Sequence, residues 1–498
     1  MTQNPMDRNE QPSGAAKALE LAALITLLLF ALTLTITSLV STGKIDPDSY
    51  TNGTLVFSKD FFWYNAAVLV FLAAACRALR VARVSDRLIR RLTGWLLVLT
   101  AIAGLLWILL AKAQPAGEQK FLFDAAKAII KGKTKDLVRE SGSLYFYFAT
   151  SPNQFGSLAY VELLTRVFGQ KGILIAAPAL NVLLLVFSYA SILKTTGRLF
   201  HDNRVTLLAL LLLCVSFQPL LLCTVIDAGV LGASLTVWSI GQFVQYIQYG
   251  KKANLVWGAL HAALAAAFNP VGRAAAVALM LVIGLYVLKQ KKWFPAVAAL
   301  VLLAVSLAAP VGMRLVYQAR LKTDYGAGLP PVVWKAAEKS SGASVSREGA
   351  RAYVGQLREE FELDYSAYAE QAKEDLAETA DEQSAPAARL LARLSAGWNE
   401  PTFASLWSSG AFEPFGERSN YAERIYEASR EGEGLNGFFA QSLTLLYLGA
   451  FLAFMVFIKK RSTEQMVLPL IVLTGVLSLA GYGAETPQTV RLLPLLCP

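Results

Sequence analysis

Histidine is nearly absent from this chain, which carries only His201, beside a basic loop, and His261, inside an apolar run. Nucleophilic or metal chemistry built on imidazole is therefore poorly supported. Cysteine is scarce as well. Cys76, Cys214, Cys223 and Cys497 show no C-x-x-C spacing, and the first three lie in or beside apolar runs. Neither a disulfide framework nor a zinc site is suggested, and the thiols read as small packing residues. No P-loop occurs, so the energy for any group transfer would have to arrive in the substrate itself. Charged residues make up only 16% of the chain, and no internal repeat of fixed period is found.

What is present in abundance is apolar sequence. Hydrophobic residues are 55% of the 498 and the mean hydropathy is +0.45, which fits a chain whose solvent is lipid. Runs such as "ALELAALITLLLFALTLTITSLV" (18–40) and "LTGWLLVLTAIAGLLWILLA" (92–111) reach the roughly 20 residues that cross a hydrocarbon core. The first is too long for a cleaved signal and lacks a clear small-residue cleavage site, so it reads as a retained helix. Eleven spans are expected: 18–40, 61–80, 92–112, 172–193, 205–223, 228–249, 253–268, 273–289, 293–313, 437–457 and 466–484.

Orientation follows from the short loops, where Lys and Arg mark the cytoplasmic side. Every even-numbered span is followed by a basic cluster. Arg77, Arg80, Arg83, Arg87, Arg90 and Arg91 follow the second; Lys194, Arg198 and Arg204 the fourth; Lys251 and Lys252 the sixth; Lys289, Lys291 and Lys292 the eighth; Lys459, Lys460 and Arg461 the tenth. The N-terminus is therefore expected in the cytoplasm of a bacterial cell membrane. The net charge of +10 is mostly topological, and no continuous basic face for nucleic acid is visible. Outside the cytoplasm fall 41–60, the turns "TVIDAG" and "FNPVGR", the tail after 484, and two larger pieces.

The first larger piece, 113–171, contains "FLFDAAKAIIKG". There Phe121, Leu122, Ala125, Ala128 and Ile129 share a helical face opposite Asp124, Lys127 and Lys131, the pattern of a helix lying on a membrane surface. The second, 314–436, is expected to be a partly helical outer domain whose acidic run at 359–382 reads as a solvated face. The expected organisation is thus membrane helices in 1–112, a large outer loop in 113–171, central membrane helices in 172–313, an outer domain in 314–436 and C-terminal membrane helices in 437–498.

Charged residues at membrane level are costly and invite a functional reading. Glu118, Asp227, Arg273, Glu485 and Arg491 come from separate segments, yet all fall at the outer ends of spans. "SLYFYFATSPNQFGSLAYVELL" adds Tyr145, Tyr147, Asn153 and Gln154 to the same layer, with Pro152 and Gly156 bracketing the polar pair. Taken singly, each charge is better explained as an ordinary helix-end charge, and the tyrosines as an aromatic belt. Together, a carboxylate near an arginine suits a substrate that is half lipid. A guanidinium pairs with a headgroup phosphate, and a carboxylate can take a proton from an attacking hydroxyl.

The string "AKAQPAGEQKFLFDAAKAIIKGKTKDL…SGSLYFYFATSPNQFGSLAYVELLTRVFG" resembles the first outer loop of bacterial GT-C glycosyltransferases of the family 39, protein-mannosyltransferase-like type. "TVIDAGVLGASLTVWSIGQFVQY", "ALAAAFNPVGRAAAVALML", "LSAGWNEPTFASLW" and "AETPQTVRLLPLL" follow in the family's order, so the resemblance runs from about 110 to the end. It implies an all-α polytopic GT-C bundle that moves a sugar from a polyprenyl-phosphate donor to an extracytoplasmic glycan, lipid or protein. It places Glu118 and Asp227 as catalytic, Arg273 and Arg491 at the donor phosphate, and Tyr147, Asn153, Gln154 and Glu485 against substrate. No metal ligand set is implied, though a divalent cation is compatible with some relatives. The chain departs from the family in having Glu rather than Asp at 118, "IDAG" for a Tyr-Gly-Glu-like turn, a displaced Arg273, and an end at "LLPLLCP" where relatives enter further spans. Two other function classes stay open at this point: a lipid-linked saccharide flippase, and a non-catalytic GT-C relative acting as an envelope scaffold.

Overall fold

The structure is a computed structural model. It describes residues 14–46, 55–59, 62–81, 83–268, 272–273, 276–277, 279–281, 283–284, 293–341, 348–378, 395, 397–410, 413–431 and 435–459. The expected last span, Glu485 and Arg491 lie outside the described residues.

Helix α1 (Gly14–Val40) leads into the antiparallel hairpin β1 (Ser41–Ile45) and β2 (Leu55–Lys59), in which Ser41 faces Lys59 and Ile45 faces Leu55. The edge of β1 is covered, because Gly43 N–H donates to the Asn399 carbonyl at 3.1 Å. Helices α2 (Phe62–Val81) and α3 (Asp86–Ala111) follow. Ser85 caps α3 by accepting from Leu88 N–H, and Lys112 ends it in the left-handed region at φ 43°.

Next come α4 (Glu118–Ile130), α5 (Ser143–Thr150) and α6 (Phe155–Phe200). The face expected of α4 is largely the face it buries: Leu122, Phe123, Ala125, Ala126 and Ile129 are buried, with the Asp124–Lys127 ion pair at 2.9 Å on the other side. Asp136 sets the start of α5, accepting from Ser143 N–H at 2.9 Å and Leu144 N–H at 3.1 Å. At 1.5 Å per residue α6 is too long for one crossing. It breaks at Gly169, at φ 72° and ψ 171°, so an arm over 155–168 precedes the membrane-length part.

The bundle continues with α7 (Asn203–Val215), bent by 48° from α8 (Gln218–Leu221), then α9 (Gly229–Tyr249), α10 (Lys252–Phe268) and α11 (Trp293–Leu321). Helices α12 (Pro331–Ser341), α13 (Glu348–Phe361) and α14 (Tyr365–Glu378) bury Val333, Ala336, Ala337, Val354, Leu357, Tyr368 and Ala372 in a small core of their own. Then α15 (Ser405–Gly410) and α16 (Asn420–Glu431) lead to α17 (Leu435–Lys459), which packs beside α1 through Leu443, Leu446, Tyr447, Ala450 and Phe454.

The chain is an all-α polytopic membrane protein apart from its hairpin. Among the described residues five helices are long and apolar enough to cross a membrane, and the bent pair α7–α8 makes a sixth. The sequence count of eleven is higher because it also takes in α2, α9 and α10 (shorter or more polar helices), the partly described 273–289 and the undescribed 466–484.

The charge pattern seen in the sequence is resolved in space. Asn203 Nδ2 donates to the Val84 carbonyl at 3.1 Å, and Gln248 Nε2 donates to the Arg198 carbonyl at 2.9 Å. Three basic connections thus share one end of the bundle. At the other end Phe415 N–H donates to the Lys112 carbonyl at 3.1 Å and Ile226 N–H to Gln119 Oε1 at 2.8 Å. The carboxylate-bearing loops gather there.

One glycine ties that end together. A Cβ on Gly156 would stand 1.9 Å from the Ala267 carbonyl oxygen, so α6 begins in backbone contact with the end of α10. Gly156→Val is expected to cost about 1–3 kcal/mol or more through overpacking. A lowered thermal midpoint in detergent, read by size-exclusion chromatography after heating, checks this.

Candidate functional site

Glu118 opens α4, and the residue before it explains its placement. Gly117 sits at φ 51° and ψ −125°, a region that a side chain disfavours, so the chain reverses there as it leaves α3. The reversal carries the Glu118 carboxylate back over the bundle end. Its Oε2 accepts from Gln154 Nε2 at 3.4 Å, and its Oε1 is ion-paired with the Arg351 guanidinium. Both charged side chains are part-buried, at 25% and 24% exposure, which makes the pair less screened than a surface one.

Arg351 comes from α13. Its guanidinium lies 5.3 Å from the ring centres of both Phe121 and Tyr147, and those rings stack on each other at 4.8 Å with an interplanar angle of 8°. The cation is therefore held by a carboxylate on one side and by aromatic faces on the other. Two turns later Arg358 caps the Phe146 ring at 4.4 Å and donates to the Glu140 carbonyl at 2.9 Å, fixing the same helix to α5. Below lies an aromatic layer: Phe148 stacks on Phe155 at 4.7 Å, and Phe155 on Tyr317 at 5.3 Å.

Of the residues expected from the sequence, Glu118, Tyr147 and Gln154 are brought together. Asn153 is half-buried beside Gln154 in the short turn Pro152–Gln154. Asp227 joins through the backbone. Gln119 Oε1 accepts from Ile226 N–H, while Asn181 Nδ2 donates to the Cys223 and Val225 carbonyls at 3.1 and 2.7 Å. These hold the "TVIDAG" turn against the start of α4, and Asp227 Oδ1 accepts from Gly229 N–H at 2.6 Å at the head of α9. Arg273 is half-buried just past α10, whose terminal Phe268 carbonyl accepts from Ser157 Oγ at 3.3 Å.

Arg351, Gln119 and Asn181 were not singled out by the sequence reading. For Arg351 a signal existed: Arg351, Val354 and Arg358 lie on one face of α13, and Val354 is buried. A basic residue at each end of an apolar helical stripe points both cations at whatever the stripe packs on.

Glu162 sits in a second charged cluster on the arm. It accepts from Tyr317 Oη at 2.6 Å, Arg320 Nη1 at 2.9 Å and Arg166 Nη2 at 2.7 Å, so it pins the arm to the end of α11. Among the described residues no group of three or more His, Cys, Asp or Glu side chains could hold a metal ion.

No protein-family profile matches the chain, and no curated protein matches it. A solved structure is similar in fold. It is the crystal structure of ArnT from Cupriavidus metallidurans bound to undecaprenyl phosphate, at 14% identity over 81% of this chain and 78% of that one, with a TM-score of 0.35.

The segment 398–407 is buried among the membrane helices. Trp398 packs edge-on against Phe30 at 5.4 Å, and Gln218 Nε2 donates to the Pro401 carbonyl at 3.0 Å. Within it Glu400 is 3% exposed and accepts from Thr402 Oγ1 at 2.8 Å and from Ala404 N–H. Burial pushes its carboxyl up from 4.5 to about 7. A raised carboxyl pKa means that the folded state binds the proton more tightly than the unfolded one. The stabilisation is then complete below about pH 4.5 and is lost as pH rises through about 7. Unfolding midpoints are expected to fall over that window, and Glu400→Gln is expected to flatten the fall.

Proposed function

We propose that this protein is an integral membrane glycosyltransferase that moves a sugar from a polyprenyl-phosphate donor to an extracytoplasmic acceptor. The observation that carries the reading is the part-buried Glu118–Arg351 pair, its guanidinium laid against the stacked Phe121 and Tyr147 rings, at the end of the bundle opposite the basic loops. By the charge rule that end faces away from the cytoplasm. The order of motifs resembling GT-C enzymes supports the same assignment.

The chemistry is a single displacement. An acceptor hydroxyl attacks the anomeric carbon, the bond from that carbon to the phosphate oxygen breaks, and polyprenyl phosphate leaves with the electron pair. Glu118 takes the hydroxyl proton. Arg351 meets the phosphate: its planar fork suits a phosphate as well as a carboxylate, so donor binding draws the guanidinium from Glu118 and leaves that carboxylate able to accept the proton. Gln154 orients Glu118. Tyr147 and Phe121 supply the apolar faces against which Arg351 and a sugar ring can lie. We assign Asn153 and Asp227 to acceptor hydroxyls and Arg273 to the donor phosphate, following the resemblance. Glu485 and Arg491 retain the roles that the resemblance gives them.

The test is transfer of labelled sugar from a panel of polyprenyl-phosphate donors in membranes that contain the protein. Transfer above that of membranes lacking it is expected. Movement of the intact labelled lipid across the bilayer, with no transfer, would instead favour a flippase.

A further inference from the structure

A cavity lies near the basic end, remote from Glu118, and its chemistry differs from that of the Glu118 site. It has a volume of about 560 Å³ and opens between α6, α9 and α10. Lys194 and Arg198, one turn apart near the end of α6, form one wall, and the amides of Gln242 and Gln245 on α9 form another. No carboxylate lines it. Gly241 keeps the floor shallow, since a Cβ there would come within 3.2 Å of Thr195 Oγ1 and 3.3 Å of Ser191 Oγ.

Its deep side is aromatic. His261 lies between Trp238 and Trp257, with ring centres 6.0 and 6.2 Å away, and its Nδ1 is buried with no hydrogen-bond partner among the described residues. The mouth is apolar and open: Phe187, which lines it, is 60% exposed, and Trp257, beside His261, is 54% exposed. Two cations, neutral donors and an unmet imidazole nitrogen, opening sideways onto the hydrocarbon, match a ligand with an anionic head and acyl tails.

We propose that this cavity binds the phosphate headgroup of an anionic glycerophospholipid from the leaflet at the basic end. Lys194 and Arg198 contact the phosphate, the glutamine amides and His261 meet headgroup oxygens, and the acyl chains run out past Phe187 and Trp257. The assignment is independent of the sugar-transfer reading, because none of these residues belongs to that site.

Trp238 lines the cavity and Trp257 flanks its His261; they are two of the chain's nine tryptophans, so the cavity's share of the quenching is the part lost when both are replaced by Phe. The full-length protein is reconstituted in phosphatidylcholine vesicles containing brominated phosphatidylglycerol or brominated phosphatidylcholine, and quenching of tryptophan fluorescence gives the relative affinity of the two lipids. Preference for the glycerol lipid is expected, falling about fivefold for each of Lys194→Gln and Arg198→Gln. The two single variants guard against misfolding of the double one. Lys251→Gln with Lys252→Gln, on the neighbouring loop, is expected to leave the preference unchanged. Millimolar inorganic phosphate is expected not to compete. Equal quenching by both lipids, a preference that survives loss of both cations, or full competition by inorganic phosphate would each overturn the proposal.

Discussion

Glu118→Gln is expected to lower sugar transfer by roughly 10²- to 10⁴-fold, the usual contribution of a positioned proton acceptor. The substitution is nearly isosteric. Its amide oxygen can still accept from Arg351, so the loop reversal at Gly117 and the packing of α4 are kept while basicity is lost. Glu118→Asp restores the acid but withdraws it by a methylene. Partial activity is expected there, because misplacement by about 1 Å can cost about 10²-fold. Initial rates normalised to folded protein check both. Full activity in the Gln variant would remove Glu118 as the base.

Arg351→Ala is expected to weaken donor use by about 10- to 100-fold in kcat/KM, since a hydrogen bond to a charged group is worth about 1.5–3 kcal/mol. The loss should appear mainly in KM for the donor and not for the acceptor. Arg351→Lys should recover part of it, keeping the charge but not the planar fork. Arg358→Ala is the comparison that separates donor binding from docking of α13. Arg358 holds the same helix by its contacts with Phe146 and Glu140 and does not touch Glu118. If both alanine variants raised donor KM equally, Arg351 would be a docking residue and no more.

Periodicity and charge made much of the architecture legible. The apolar runs located α1 and α3, the amphipathic pattern at 121–131 located α4, and the loop arginines and lysines sorted the bundle into two ends. Those are local or one-dimensional signals. The site was half legible for the same reason: Glu118, Tyr147 and Gln154 lie in one continuous stretch between α3 and α6, so their grouping follows from short-range chain geometry. Arg351 meets Glu118 across 233 positions of sequence; the spacing of Arg351, Val354 and Arg358 marks the arginine as pointing at a packed surface but does not say which carboxylate it meets. The 314–436 piece reads as polar and helical, yet Trp398 and Glu400 within it are buried among membrane helices. Average composition over a long segment hid a short apolar insertion.

The central claim is that the Glu118–Arg351 site exchanges a sugar–phosphate bond for a sugar–acceptor bond. Its most direct measurement is a single-turnover reaction of the purified protein in proteoliposomes with a labelled polyprenyl-phosphate sugar. Liberated polyprenyl phosphate is quantified by mass spectrometry against sugar transferred, for the protein and its Glu118→Gln variant. One polyprenyl phosphate released per sugar transferred, with both slowed together by roughly 10²- to 10⁴-fold in the variant, is the predicted result. Donor that remains intact with the unaltered protein, or release that proceeds equally in the variant, would contradict it.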